Sequence, residues 1–271
     1  MTNPQRIAFL GTPELAATTL RAVHGAGHEI SVVVSAADKR RGRGSDTSPS
    51  PVKAAALELG LPVSADPDAV LASGATIGVV VAYGRIIKPH LLAALPFVNL
   101  HFSLLPRWRG AAPVERAILS GDERTGVCLM EVTEGLDEGG VYARAETDVD
   151  AKSLDELRGE LVELGNGLLL DALRSGFGLP EPQVGEPVYA HKLTADDRRI
   201  DWSGSAEKVL RVVRLGGAWT TFRGKRLRVL DAMVADDGTS VPTEVQPEGK
   251  GPMAFDAWRN GAQPAPGEWF V

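Results

Sequence analysis

Residues 75–102, "ATIGVVVAYGRIIKPHLLAALPFVNLHF", decide the fold. "ATIGVVVAYG" (75–84) is a near-continuous apolar run, the composition of a strand covered on both faces. "PHLLAAL" then reads as a helix, opened by a proline whose missing N–H a first turn does not need. "PFVNLHF" is a second apolar run. Near-continuous strands alternating with helices imply a parallel sheet with helices on both sides.

The same alternation continues outward. "RIAFLG" (6–11) and "HEISVVVSA" (28–36) read as strands. A helix with Pro13 in its first turn lies between them, and a second follows at 50–60, with Ser50 as N-cap and Gly60 as its stop. This is a doubly wound α/β domain. After Gly126 the pattern changes: "GVCLMEV" (126–132) and "VYARAETDV" (141–149) are strands flanking the glycine-rich "TEGLDEGG" (133–140). A long helix over 153–176 shows leucines at three- and four-residue steps. We expect a large first domain at 1–178, a Pro/Asp/Gly-rich linker at 179–202 and a small domain at 203–271. In the small domain, the helix "SAEKVLRVVR" (205–214) precedes a strand, a tight glycine turn and a strand in "AWTTFRGKRLRVLDAMV" (218–234), with only short strands beyond.

Apolar content of 44% and charged content of 24% suit a globular protein, and no stretch approaches the ~20 apolar residues that span a bilayer. "MTNPQRIAFLG" carries no basic-then-apolar leader, and a single cysteine, Cys128, precludes an internal disulfide and fits a reducing compartment. These features predict a cytoplasmic protein that uses no membrane. A net charge of −6 argues against a surface that coats nucleic acid indiscriminately. The charge is nonetheless uneven. Residues 203–271 hold nine Lys/Arg against eight Asp/Glu, and seven of those cations, from Lys208 to Arg228, follow one another without an acid. A second basic cluster, "DKRRGRG", covers 38–44. Local basic spots on an acidic body suit a partner touched at a few points; Lys39, Arg40, Arg41 and Arg43 are candidates for phosphate contact.

Asn99 and His101 are the candidate chemistry. Residues two apart on a strand project from one face, and the carboxyl ends of strands in an open parallel sheet are where ligands bind. A strand-end histidine can also simply satisfy backbone groups. Asp137 in "EGLDEGG" is the candidate third member, able to orient and charge an imidazole. An amide, an imidazole and a carboxylate suit transfer of a one-carbon acyl group to an amine. The amine must lose a proton, and the developing oxyanion needs preplaced donors. The five histidines show no metal-ligand spacing and one cysteine builds no thiolate site, so no metal is expected. "GTPELA" lacks the second and third glycines of a dinucleotide fingerprint.

Together "NLHFSLLPRWRGAAP" and "GVCLMEVTEGLDEGG" resemble the 10-formyltetrahydrofolate-dependent formyltransferases. With "AFLGTPELA", "GRGSDTSPSPVKAAALELGLPV", "VVVAYGRII" and "RIDWSGSAEKVLRVVR", the likeness narrows to members that formylate methionyl-tRNA. The resemblance implies a Rossmann-like formyltransferase domain followed by an OB-like barrel. It implies Asn99, His101 and Asp137 as catalytic residues, and 10-formyltetrahydrofolate as formyl donor. Ser103, Leu104, Leu105 and Pro106 would line the folate site, with Ala82, Tyr83, Gly84, Arg85 and Ile86 and the loop at Leu136 walling the pterin. Initiator methionyl-tRNA would be the acceptor, touched by Lys39, Arg40, Arg41, Arg43, Arg109, Arg223, Lys225 and Arg226 of a monomer. Only "ADDGTSVPTE" joins "LRVLDAMV" to "VQPEGKGPM", so the barrel is expected to be shortened, and Glu138 stands where a small hydroxyl residue is usual. A shortened barrel also suits another acceptor, an amino sugar nucleotide or other small amine. A catalytically silent folate- or RNA-binding relative is the third reading, which the three intact candidate residues oppose.

Overall fold

The computed structural model describes residues 5–40 and 47–270. In chain order, β1 (Arg6–Gly11), α1 (Glu14–Gly25) and β2 (Glu29–Val34) lead to two short strands, β3 (Lys39–Arg40) and β4 (Thr47–Ser48). Then come α2 (Pro51–Glu58), β5 (Val63–Ser64), α3 (Ala69–Ala72), β6 (Ile77–Val81), α4 (Pro89–Ala94), β7 (Phe97–His101) and β8 (Arg109–Gly110). The chain continues through α5 (Pro113–Ser120), β9 (Arg124–Glu131), β10 (Val141–Asp148), α6 (Leu154–Ser175) and β11 (Tyr189–Ala190). It ends with α7 (Ala206–Arg214), β12 (Trp219–Phe222), β13 (Lys225–Val234), β14 (Ser240–Pro247), β15 (Met253–Ala254) and α8 (Phe255–Ala262). Among the described residues no helix is long and apolar enough to cross a membrane.

Two compact units emerge: Met1–Pro113 with Thr125–Thr147 and Arg158–Ala190, and Val114–Arg124 with Asp148–Leu157 and His191–Val271. The first is built on a seven-stranded sheet in the order β10-β9-β7-β6-β1-β2-β5. Strands β5, β2, β1, β6 and β7 pair in parallel; β9 joins β7 antiparallel, setting Asn99 opposite Met130 and His101 opposite Cys128. All five residues of β6 are buried, as the sequence pattern demands of a central strand. Helix α2 begins as expected: the Ser50 hydroxyl accepts the Lys53 N–H at 3.0 Å, a cap of a kind that contributes about 1 kcal/mol.

The chain leaves β1 toward β2 and returns to β6 on the other side, so the sheet order reverses at the β1/β6 boundary. In open α/β sheets such a reversal is where ligands bind, outside the strands' carboxyl ends. The Thr12 hydroxyl, just past β1, donates to the Tyr83 carbonyl, just past β6, at 3.3 Å. Cys128 and Met130 of β9 form one buried apolar cluster with Val141 of β10 and with Leu105. Burial pushes the Cys128 thiol above its ordinary pKa, which keeps it an inert core residue.

The second unit realises the shortened barrel as a four-stranded antiparallel sheet, β12-β13-β14-β15. Helix α7 lies on β13 and buries Val209 and Val213, one turn apart, with Ile200, Ala218 and Val229. Its first turn carries Glu207 and its last Arg211 and Arg214, which complements the helix dipole. Helix α8 packs on β14, where Phe222, Leu227, Val245, Phe255 and Phe270 make a second core. The sequence leads to an expectation of only short strands in this last stretch, and Phe255, Trp258 and Gly261 are indeed weak helix formers. Burial of the aromatic face overrides that preference.

Candidate active site

Asn99 and His101 stand at the carboxyl end of β7, Asn99 half-buried and His101 buried. The next residues make a tight turn: the Ser103 N–H donates to the His101 carbonyl at 2.9 Å, and the Ser103 hydroxyl to the Arg107 carbonyl at 2.6 Å. That turn delivers the Trp108 carbonyl to the imidazole, where it accepts from His101 Nε2 at 2.8 Å. A carbonyl only accepts, so Nε2 carries a hydrogen. The other nitrogen, Nδ1, faces Asp137 Oδ2 across 3.5 Å. His101 and Asp137 are 5% and 16% exposed, so water screens this pair little.

Asp137 is held from several directions. Its Oδ2 accepts the Gly110 N–H at 2.7 Å. Gly110 sits at φ +111°, a conformation open to glycine and strained for other residues, and this aims its N–H at the carboxylate. Asp137 itself has φ +51°, which costs about 1–3 kcal/mol and persists only where surroundings hold it. Gly139, two residues on, lies so close to β9 that a Cβ would stand 2.0 Å from the Glu131 carbonyl oxygen. The segment read as a linker adds a further hold. Gln183 donates its amide N–H groups to the carbonyls of Asp137 and Gly139.

The residues expected to line the folate site divide. Ala82, Gly84, Arg85 and Ile86 are exposed beyond β6, and Ile86 and Leu136 are large apolar side chains left 79% and 54% exposed. Tyr83 is buried, and burial pushes its phenol above the ordinary range. Leu104 and Pro106 are half-buried, whereas Ser103 is buried in the turn and Leu105 in the core cluster.

The basic residues also divide. Arg41 and Arg43 lie outside the described residues; Lys39 and Arg40 form β3, paired with β4. Arg109, expected to reach tRNA, keeps a side chain only 12% exposed and donates to Gln183 and Glu138. Arg223 makes a two-pronged pair with Glu268, at 2.7 Å and 2.6 Å, and donates to the Ala262 and Gln263 carbonyls. It ties the β12–β13 turn to the following helix and tail. Lys225 and Arg226 are exposed, with the Arg226 guanidinium 4.3 Å from the centre of the Trp219 ring. Sequence reasoning missed Gln183 and the Trp108 carbonyl. No periodicity marks the first, and the second is a backbone group that only the turn brings to His101.

Comparison with known proteins agrees with this architecture. Residues 5–173 match the formyl transferase family and residues 192–243 match the formyl transferase C-terminal domain. A methionyl-tRNA formyltransferase of Heliobacterium modesticaldum is 41% identical over 257 residues, covering 88% of this chain and 81% of that protein. One from Jannaschia sp. is 40% identical over 297 residues, covering 97% of this chain and 98% of its own length. Among solved structures, methionyl-tRNA formyltransferase from Clostridium thermocellum superposes with a TM-score of 0.61 at 15% identity, covering 91% of this chain and 100% of that one. HypX from Aquifex aeolicus in complex with tetrahydrofolic acid gives 0.68 at 18% identity over 95% of this chain, which spans 47% of the length of HypX. At such identities the structural likeness speaks to fold alone. Two domain matches and relatives that align along most of their length converge on one conclusion: the chain belongs to the formyl transferase family, among its methionyl-tRNA formyltransferases.

Proposed function

We propose that Asn99, His101 and Asp137 carry transfer of a formyl group from 10-formyltetrahydrofolate to the free amine of initiator methionyl-tRNA, in the cytoplasm and by a monomer. The observation that carries this reading is the 3.5 Å approach of His101 Nδ1 to Asp137 Oδ2 beside Asn99, at the mouth of a parallel sheet. When bound, the folate supplies a formyl carbon on N10 that an amine can attack. Ile86 and Leu136 are apolar groups that a bound pterin would cover.

An α-amino group titrates at about 7.7–8.0 and must be unprotonated to attack. Negative charge then grows on the formyl oxygen. Asn99 Nδ2 is the preplaced donor for that oxygen, with the buried His101 ring two residues along the same strand. His101 Nε2–H is committed to the Trp108 carbonyl, so Nδ1, facing the Asp137 carboxylate, is the ring atom that gives and takes a proton. One N–H bond is lost on the acceptor amine and one is gained at N10.

An RNA acceptor is supported by the relatives' activity and by the exposed Lys225 and Arg226. The loop at Lys39, Arg40, Arg41 and Arg43 is assigned to the acceptor stem. The test is to supply 10-formyltetrahydrofolate with charged initiator tRNA, then with amino sugar nucleotides, and to follow folate release by absorbance. Release with the tRNA alone is expected. Release only with the sugar nucleotides would overturn the acceptor, and release with neither would overturn the activity.

A further inference from the structure

The Gln183 amide has all of its hydrogen-bonding capacity engaged. Its Nε2 donates to the carbonyls of Asp137 and Gly139, each at 2.8 Å. Its Oε1 accepts from Arg109 Nε at 3.1 Å and from Arg109 Nη2 at 2.8 Å. Two N–H donors and two lone pairs are the full complement of a primary amide. The orientation is therefore unique, because a flipped amide would set its oxygen against two carbonyls and its N–H groups against a guanidinium. Arg109 Nη1 also reaches Glu138 Oε1 at 3.4 Å. Arg109 precedes Gly110, whose N–H holds the Asp137 carboxylate. Gln183 thus grips both ends of the arrangement: the strand that supplies the carboxylate's donor, and the backbone of Asp137 itself. The Asp137 end needs such a hold, since Asp137 occupies the left-handed region at φ +51°.

We infer that Gln183, acting with Arg109, is a positioning residue that sets the Asp137 carboxylate against His101 Nδ1. The inference rests on the triad reading above. It also gives a role to a stretch that the amino-acid sequence presents as a plain linker, and it makes Arg109 an internal clamp. The amide N–H groups are the working atoms, and this separates positioning from packing. Glutamate has nearly the shape of glutamine and still accepts from Arg109, but cannot donate to the two carbonyls.

The experiment compares Gln183→Glu and Gln183→Ala with the wild-type chain, alone and on an Asp137→Asn background. Misplacement of a catalytic group by about 1 Å costs on the order of 10²-fold. Both single variants should lose kcat on that scale, with KM for folate and acceptor little changed and melting still cooperative. On the Asp137→Asn background the same changes should have almost no further effect, because there is no carboxylate left to misplace. The His101 ring nitrogens, read by ¹⁵N NMR without substrate, should shift in both single variants. A Gln183→Glu enzyme with wild-type kcat, or one whose loss multiplies in full onto Asp137→Asn, overturns the inference. If the wild type formylates no methionyl-tRNA, the functional reading fails and the His101 resonances decide alone: unmoved resonances overturn the positioning role.

Discussion

Gly139→Ala should inactivate the enzyme without unfolding it, and the size of the effect follows from one distance. An added Cβ would stand 2.0 Å from the Glu131 carbonyl oxygen, whereas real Cβ atoms essentially never come within 3.0 Å of another heavy atom. The obstacle is backbone on β9, fixed by its pairing with β7, so the glycine loop must be the part that moves. The shortfall is about 1 Å, and displacement of a catalytic group by that much costs on the order of 10²-fold in rate. Gly135→Ala is the matched control, on the same loop. Its Cβ would meet Glu138 Oε2 at 2.2 Å, the far end of a flexible and half-exposed side chain that can swing aside. Single-turnover formylation of methionyl-tRNA, with thermal melts alongside, reads both variants. We expect kcat to fall about 100-fold for Gly139→Ala and to stay within about three-fold for Gly135→Ala. A folded Gly139→Ala enzyme with normal kcat would refute the claim that Asp137 placement limits the rate.

Other outcomes follow from the same geometry. Asn99→Ala removes the donor proposed for the oxyanion and should cost roughly 10²–10³ in kcat with folate affinity nearly unchanged; a loss confined to KM would contradict that role. Changing both Lys225 and Arg226 to Ala should weaken tRNA binding and flatten its salt dependence by about one to two units of log–log slope, measured by filter binding from low to moderate salt. Glu268 titrates at about 2 rather than at its ordinary 4.5, chiefly because Arg223 donates to it. A depressed carboxyl stabilises the fold fully above its unfolded pKa and loses that contribution as pH falls toward the folded value. Denaturant melts should thus weaken between about pH 4.5 and 2 through this pair, and Glu268→Gln should shrink that acid-side dependence while costing stability near neutrality.

How far the sequence discloses this molecule depends on the range of the interactions involved. The main sheet is legible because strand and helix periodicities are local: "ATIGVVVAYG" (75–84) reads as a doubly covered strand, and the strand it contains, Ile77–Val81, is wholly buried. Ser50 is legible as a cap because its partner is three residues away. Asn99 and His101 are legible as a pair because a strand fixes the side of residues two apart. Gln183 and Arg109 are not, since their bonds span 44 to 74 residues and a Pro/Gly-rich stretch carries no period to betray them. Arg223 reads as a free cation in sequence, because its Glu268 partner lies 45 residues further along the chain. Formal charge is visible in a sequence; whether it is already neutralised is not.

In the proposed mechanism the pairing of His101 with Asp137 drives formyl transfer. The most direct measurement of this is the single-turnover rate of N-formylmethionyl-tRNA formation from 10-formyltetrahydrofolate by wild type and His101→Ala. The account predicts transfer by the wild type and near-complete loss in the variant, with its melting profile and folate binding retained. Transfer by His101→Ala at a wild-type rate would contradict it.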